Sequence, residues 1–452
     1  MTTRELLDDA AERAQRYLLS LPLRPLSPTP DAIAALSGFG VALPNDPQSA
    51  SDTLHQLDTL GSPATMGMAS GRFFGFVIGG ALPVTVASNW LATAWDQNAA
   101  LHAPSPATAV IERVAMDWVL ELLGLPASSG CAFVTGATMA NFSALASARH
   151  ALLAREGWNV EADGMFGAPP ITVVVGDEVH PTLTKALGML GLGRSRVVRV
   201  PVDSQGRMRA DSIPRITGAT TVCLQAGNLN TGAFDPFDDL IDAAHERGAW
   251  VHVDGAFGLW AAACPSLQAL ARGVEKADSW ATDAHKWLNV PYDSGIAIVR
   301  DADALRAAMS ITADYLPTES AFRNPSDYTP ELSRRARGVD VWAAIRTLGR
   351  TGLCELFERT CRHARRFAQE LQASGATVLN DVVLNQVLLS FGDADRTRRV
   401  VAMVQRDGTC WVGPTVWQGH AAMRISVSSW ATSDDDVERS IEAIRRAASA
   451  IA

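Results

Sequence analysis

Disulfide chemistry has little footing in this chain of 452 residues, because its six cysteines (Cys131, Cys223, Cys264, Cys354, Cys361 and Cys410) are scattered and form no CxxC pair. That spacing excludes a disulfide framework and a zinc site, so no metal is expected, and reduced thiols in a cytoplasm fit best. A basic block is missing as well: 39 basic and 48 acidic residues give a net charge of −9, spread along the chain. Neither nucleic acid nor an anionic membrane is therefore expected as a partner. The N-terminal MTTRELLDDAAERAQRYLLSL has acids and bases at helical spacing where an export signal needs an apolar run. There is no GxxxxGK, HExxH or GxSxG, and MLGLGRS has no third glycine for a dinucleotide loop.

Long uncharged runs are also scarce, with one exception. Residues 73–95, FFGFVIGGALPVTVASNWLATAW, carry no charge and are long enough to span a bilayer. Gly79-Gly80, Pro83 and Ser88-Asn89 interrupt the run, which favours a buried core or a subunit interface over a membrane span.

What the chain does contain is alternation. Apolar β-rich runs (CAFV, ITVVVG, RVVRVPV, TVCLQ, WVHV) are followed in most cases by alanine-rich or amphipathic stretches (ANFSALASARHALLA, PTLTKALGML, FDDLIDAAHERG). That order predicts an α/β fold with a mainly parallel central sheet covered on both faces. Ligands in such folds sit beyond the carboxyl ends of the strands. Residues 1–70 read as a helical arm with Pro-rich turns, 71–338 as the large α/β domain, and 339–452 as a smaller α+β domain.

The strand ends carry the chemistry. After CAFV comes Thr135-Gly136-Ala137-Thr138, where small residues entering a helix can offer backbone N–H groups to a phosphate. Taken alone, such a turn is commonplace. His180 follows the VVVG strand, and a lone histidine there is more often structural than functional. Asp254 ends WVHV and needs a cation, a metal or a protonated ring nitrogen, a structural salt bridge being as good a reading. Lys286 comes next, in Asp283-Ala284-His285-Lys286-Trp287-Leu288. A single lysine is ordinarily a surface charge, but desolvation beside Trp287 and Leu288 favours a neutral, nucleophilic amine.

Together, a phosphate cradle, a ring-facing imidazole, a strand-end acid and a lysine match one cofactor, pyridoxal 5'-phosphate (PLP). The runs GDEVHPTLTKALGMLGLG, AGNLNTGAFDPF, HVDGAFG and ADSWATDAHKWL make the chain, from about residue 73 onward, resemble the group II PLP-dependent amino acid decarboxylases of fold-type I. The resemblance implies an aspartate-aminotransferase-like fold with a seven-stranded sheet. It makes Lys286 similar to the lysine that holds the cofactor aldehyde, and His285 to its phosphate-binding neighbour. Ala137 and Thr138 match the phosphate loop, His180 the imidazole stacked on the ring, Asp254 (with Ala256 beside it) the acid at the ring nitrogen. Tyr315 takes the place of a loop tyrosine that protonates the substrate carbon, and Arg334 that of an arginine near the active site.

Two positions depart from the family pattern: Asp283-Ala284 replaces a common Asn-Pro, and Asn228 stands near where a hydroxyl is usual. Asn228 remains a candidate contact. The expected reaction is removal of the α-carboxylate of an L-amino acid to give an amine and CO2, with Lys286, His180, Asp254 and Tyr315 as the catalytic set. An aldehyde synthase, a retro-aldol lyase or an aminotransferase is the alternative, and a non-catalytic PLP binder the remaining one. The resemblance further implies a homodimer with active sites at the subunit interface, for which the 73–95 run supplies a reason. Phe73 and Trp95 are candidate substrate contacts, with a core role equally open to them.

Overall fold

The computed structural model describes residues 1–311 and 322–451, which fall into two compact units. One comprises Gly79–Arg365 with Asn380–Val387; the other comprises Met1–Ile78, Arg366–Leu379 and Leu388–Ala452.

Twelve strands are present among the described residues: β1 (Phe73–Phe74), β2 (Gly130–Val134), β3 (Thr172–Gly176), β4 (Val198–Val200), β5 (Thr220–Gln225), β6 (Trp250–Asp254), β7 (Ser279–Asp283), β8 (Gly295–Val299), β9 (Thr377–Val378), β10 (Gln386–Ser390), β11 (Trp411–Trp417) and β12 (His420–Ser426). The larger unit is built on a seven-stranded sheet in the order β2-β8-β7-β6-β5-β3-β4. Four neighbouring pairs are parallel, and β8 alone runs antiparallel to both of its neighbours, β2 and β7. Strands β2, β6, β7 and β8 are buried along their whole length, as strands of a sheet covered on both faces should be. The mainly parallel α/β architecture read from the sequence is therefore the observed one.

One contact in this unit decides where the chemistry can be. The helix Ala137–Arg155 presents Ala140, Ala144 and Ala148, one turn apart, to Ala132, Ala281 and Ala297 of the sheet. Alanine on both sides lets the helix lie close to the strands, and it brings the helix start to the carboxyl ends of β2 and β7. Gly295 of β8 belongs to the same constriction: a Cβ there would lie 2.4 Å from Gly136 Cα.

The second unit holds the five-stranded sheet β1-β11-β12-β10-β9, with β1 parallel to β11 and the β11–β12 pair antiparallel. Its N-terminal helix, Thr3–Ser20, begins with a reciprocal capping box between Thr2 and Glu5. The segment after that helix is tied down by backbone bonds, Leu26 N donating to Gly408 O and Gly67 N to Leu26 O.

The uncharged run does not form a span. Phe73 and Phe74 are strand, the chain turns at Phe76-Val77, and the helix Pro83–Trp95 has 13 residues. Among the described residues no helix is long and apolar enough to cross a membrane.

Candidate active site

The carboxyl ends of β3, β5, β6 and β7 frame a cleft lined by Glu178, His180, Gln225, Gly227, Leu229, Asp254, Ala256, Phe257 and Lys286. Three residues singled out in the sequence, His180, Asp254 and Lys286, thus share one cleft with Ala256.

Lys286 follows β7 by three residues, and its Nζ lies 2.9 Å from Asp283 Oδ2. The apolar neighbours expected to desolvate it do something else. Trp287 packs on Phe357 at 4.5 Å and donates its indole N–H to Thr360 Oγ1, so its role is to anchor the segment in the core. The amine itself, in a side chain 21% exposed, is held by a carboxylate.

His285 is fixed from several sides. Its Nδ1 accepts the Ser294 backbone N–H at 3.0 Å, which places the ring proton on Nε2, 3.5 Å from Asp283 Oδ1. The ring lies against Tyr292, with centroids 4.3 Å apart. Burial holds the imidazole below its ordinary pKa, with Asp283 opposing that effect and Lys286 adding to it. Gly136 makes room for this ring: a Cβ there would meet His285 Cε1 at 3.1 Å.

Ala137 is the first residue of its helix and Thr138 the second, so both carry N–H groups that the helix itself leaves without acceptors. The Ala137 N–H is taken by Asp283 Oδ1 at 2.6 Å. His180 caps the helix Pro181–Met189, with Nδ1 accepting from the Thr182 backbone at 3.3 Å and 2.6 Å from its hydroxyl. Those contacts orient the ring and leave the proton on Nε2.

Asp254, 6% exposed, is held by two donors: Ala256 N on Oδ1 at 3.2 Å and Asn141 Nδ2 on Oδ2 at 3.1 Å. Behind it runs a chain of buried hydrogen bonds. Trp250 Nε1 donates to Ser279 Oγ at 2.9 Å, Ser279 Oγ lies 3.0 Å from His252 Nδ1, and His252 Nε2 lies 2.8 Å from Asn141 Oδ1. Because the two ends of the chain are donors of fixed sense, the indole and the amide, the hydroxyl donates to Nδ1 and Nε2–H donates to Asn141. Every dipole then points toward the Asp254 carboxylate. Burial alone depresses the His252 pKa to about 3, so this link is uncharged. Asn141 and His252 had no place in the sequence reading. Their one legible signal is that His252 and Asp254 stand two apart on β6 and so share a face.

Other candidates have different surroundings. Asn228 is 2% exposed and organises its own loop, its Oδ1 accepting from Asn230 N and Thr231 N and its amide donating to Gln225 Oε1. Arg334 is consumed internally, donating to Glu112 Oε2 at 2.7 Å and to the carbonyls of Ala99 and Phe133. Phe73 belongs to the smaller unit, where it stacks on Trp411 with centroids 5.0 Å apart beside Leu26 and Ile78. Trp95 is 43% exposed and does not line the cleft. Asn228, Arg334 and Trp95 are not among the residues that line the cleft with Lys286. Tyr315 lies outside the described residues.

The donor set fits PLP on its own chemistry: N–H groups at a helix start beside a neutral imidazole, an anchored acid, and a lysine and a second imidazole on the same cleft. Among the described residues no cluster could hold a metal ion.

Comparison with known proteins agrees. The model of the "Pyridoxal-dependent decarboxylase conserved domain" matches residues 35–391. An aromatic-L-amino-acid decarboxylase of Bacillus atrophaeus is 26% identical over 82% of this chain and 76% of its own length. Tryptophan decarboxylase 1 of Oryza sativa subsp. japonica is 27% identical over 87% of this chain and 83% of its own. Among solved structures, Oryza sativa TDC with PLP and tryptamine superposes with a TM-score of 0.91 at 23% identity, covering 99% of this chain and 97% of that one. Mouse CSAD in apo form gives 0.89 at 19% identity, covering 98% of each chain. At those identities the structures speak for the fold.

Proposed function

Because this chain belongs to the pyridoxal-dependent decarboxylase family, we propose that Lys286, His180, Asp254 and Tyr315 carry out its reaction, with Ala137, Thr138, Ala256 and His285 completing the cofactor site. The enzyme is a PLP-dependent carboxy-lyase that removes CO2 from an amino acid. The observation that best supports the residue assignment is the meeting of Lys286, His180 and Asp254 in one cleft at the ends of parallel strands.

When bound, PLP supplies the electron sink for the bond between the α-carbon and the leaving carboxylate. The protein's share is positioning and proton control. Asp254, fixed by Asn141 and Ala256, would hold a proton at the ring nitrogen, and the dipoles behind it keep the carboxylate from turning away. His180, locked through Thr182, would lie against the cofactor ring and steady it. Lys286, on the cleft beside Asp254 and His180, would hold the cofactor through its aldehyde. Ala137 N–H, the Thr138 hydroxyl and His285 Nε2–H bind phosphate. Tyr315 returns a proton to the substrate carbon once CO2 has left.

Two further parts of the proposal concern setting. A homodimer is supported by the helix Pro83–Trp95, which leaves Trp90, Leu91 and Trp95 from 43% to 55% exposed, more apolar surface than one short helix normally gives to water. Six free thiols, five of them buried, fit a reducing cytoplasm.

A screen of the twenty amino acids for CO2 release, with product identification, tests the assignment. Amine and CO2 in equal amounts are expected. Keto acid without amine contradicts it and favours the aminotransferase alternative.

A further inference from the structure

Asp283 is a buried carboxylate set among the groups assigned to the cofactor phosphate. The residue ends β7, is 2% exposed, and divides its two oxygens among the groups that bind the cofactor. Oδ1 accepts the Ala137 N–H at 2.6 Å and lies 3.5 Å from His285 Nε2. Oδ2 lies 2.9 Å from Lys286 Nζ. The side chain cannot easily withdraw. Its own N–H is bonded to Ala256 O and its carbonyl accepts the Trp260 indole N–H at 3.0 Å, so the backbone that carries it is pinned on both sides.

A helix start with small residues is a site for an anion, and here a buried anion of the protein already faces it. The phosphate of PLP carries nearly two negative charges at neutral pH and would arrive beside this carboxylate in a poorly screened position. An amide at position 283 would have the same shape without the charge.

We propose that Asp283 is a built-in competitor of the cofactor phosphate, which occupies the Ala137 N–H and repels the incoming anion, so that this enzyme takes up PLP weakly and exchanges it readily. The inference rests on the assignment of Ala137, Thr138 and His285 as the phosphate cradle. The charged and titratable groups facing Asp283 are Lys286 and His285, with Tyr292 behind the imidazole. Asp293 also acts on the imidazole, but it is 43% exposed and paired with Arg337, so Asp283 is the buried negative charge at the cradle.

The test is a comparison of two ligands. The full-length protein, stripped of cofactor, is titrated with PLP and with pyridoxal, which has the same aldehyde and ring but no phosphate, and tryptophan fluorescence reports binding. Asp283→Asn should lower the Kd for PLP by about tenfold or more while changing that for pyridoxal by less than about threefold. Asp283→Ala, which removes the charge without supplying an amide, should act in the same direction and serves if the asparagine variant does not fold. Effects of the Lys286–Asp283 ion pair touch both ligands alike and cancel in the ratio. An unchanged or higher Kd for PLP, or equal gains for both ligands, overturns the inference and leaves the cofactor site standing. Failure of every protein to bind PLP overturns the site assignment and the inference together.

Discussion

His252 Nε2 donates to Asn141 Oδ1 across 2.8 Å, and the same Asn141 donates from Nδ2 to Asp254 Oδ2 across 3.1 Å. A neutral imidazole with no exposure to solvent is thereby tied to the acid at the floor of the cleft. Burial has lowered its pKa from 6.5 to about 3, and that has a cost that pH can reveal. Above pH 6.5 neither the folded nor the unfolded chain protonates this group. Below it the unfolded chain takes up a proton that the folded chain refuses, so stability is lost as pH falls from 6.5 toward 3. At about 1.4 kcal/mol per pH unit, the loss at pH 5 is about 2 kcal/mol. His252→Gln should shrink the stability difference between pH 7.5 and pH 5 by roughly that amount, measured by urea unfolding at both values. An unchanged difference would mean that His252 is not buried as a neutral group.

Arg334 provides a second test, because its side chain is fully buried and paired with Glu112, itself 1% exposed. Arg334→Ala removes three hydrogen bonds and leaves the carboxylate with Arg323, at 3.6 Å, as its nearest cation. Breaking a buried pair on one side typically costs about 3 kcal/mol or more. Urea unfolding should show a loss of that order, with the KM for substrate little altered in the protein that remains folded. A large rise in KM without a loss of stability would assign Arg334 to the substrate instead.

Gly136 isolates the phosphate cradle from the rest of the site. A methyl group there meets His285 Cε1 at 3.1 Å and Asp283 Oδ1 at 3.5 Å, and the ring is hemmed in by Ser294 N and Tyr292. Gly136→Ala should therefore weaken PLP binding by about tenfold while pyridoxal binding changes little, as read by fluorescence titration. Equal weakening of both ligands would point to a general distortion of the helix start.

Much of this was legible before any coordinates. Runs such as CAFV, ITVVVG and WVHV are short, branched and followed by helix, so strand order aside, a parallel sheet was the expected answer, and the residues that chemistry requires stand at strand ends where such folds bind ligands. What local pattern could not convey is pairing across distance. Asp283 and Ala137 are 146 residues apart, and their bond depends on an alanine-lined approach of helix to sheet. Asn141 and His252 are 111 apart and meet for the same reason. Aromatic residues are ambiguous in another way: Phe73 and Trp95 sit in the same uncharged run, yet one is fully buried against Trp411 and the other half in solvent. Lys286 was found for its place in a motif, but its nearest partner, a carboxylate three residues earlier, is a matter of how the chain turns after β7.

The central claim is that Lys286 serves an amino acid decarboxylase. Carboxyl-labelled amino acids incubated with the purified protein and PLP test it most directly, with released CO2 and amine counted for the wild type and for Lys286→Ala. Equal amounts of CO2 and amine are expected from at least one amino acid, with a fall of about a thousandfold or more in the variant. Release of CO2 at an undiminished rate by Lys286→Ala would contradict it, as would conversion of the amino acids by the wild type without any CO2.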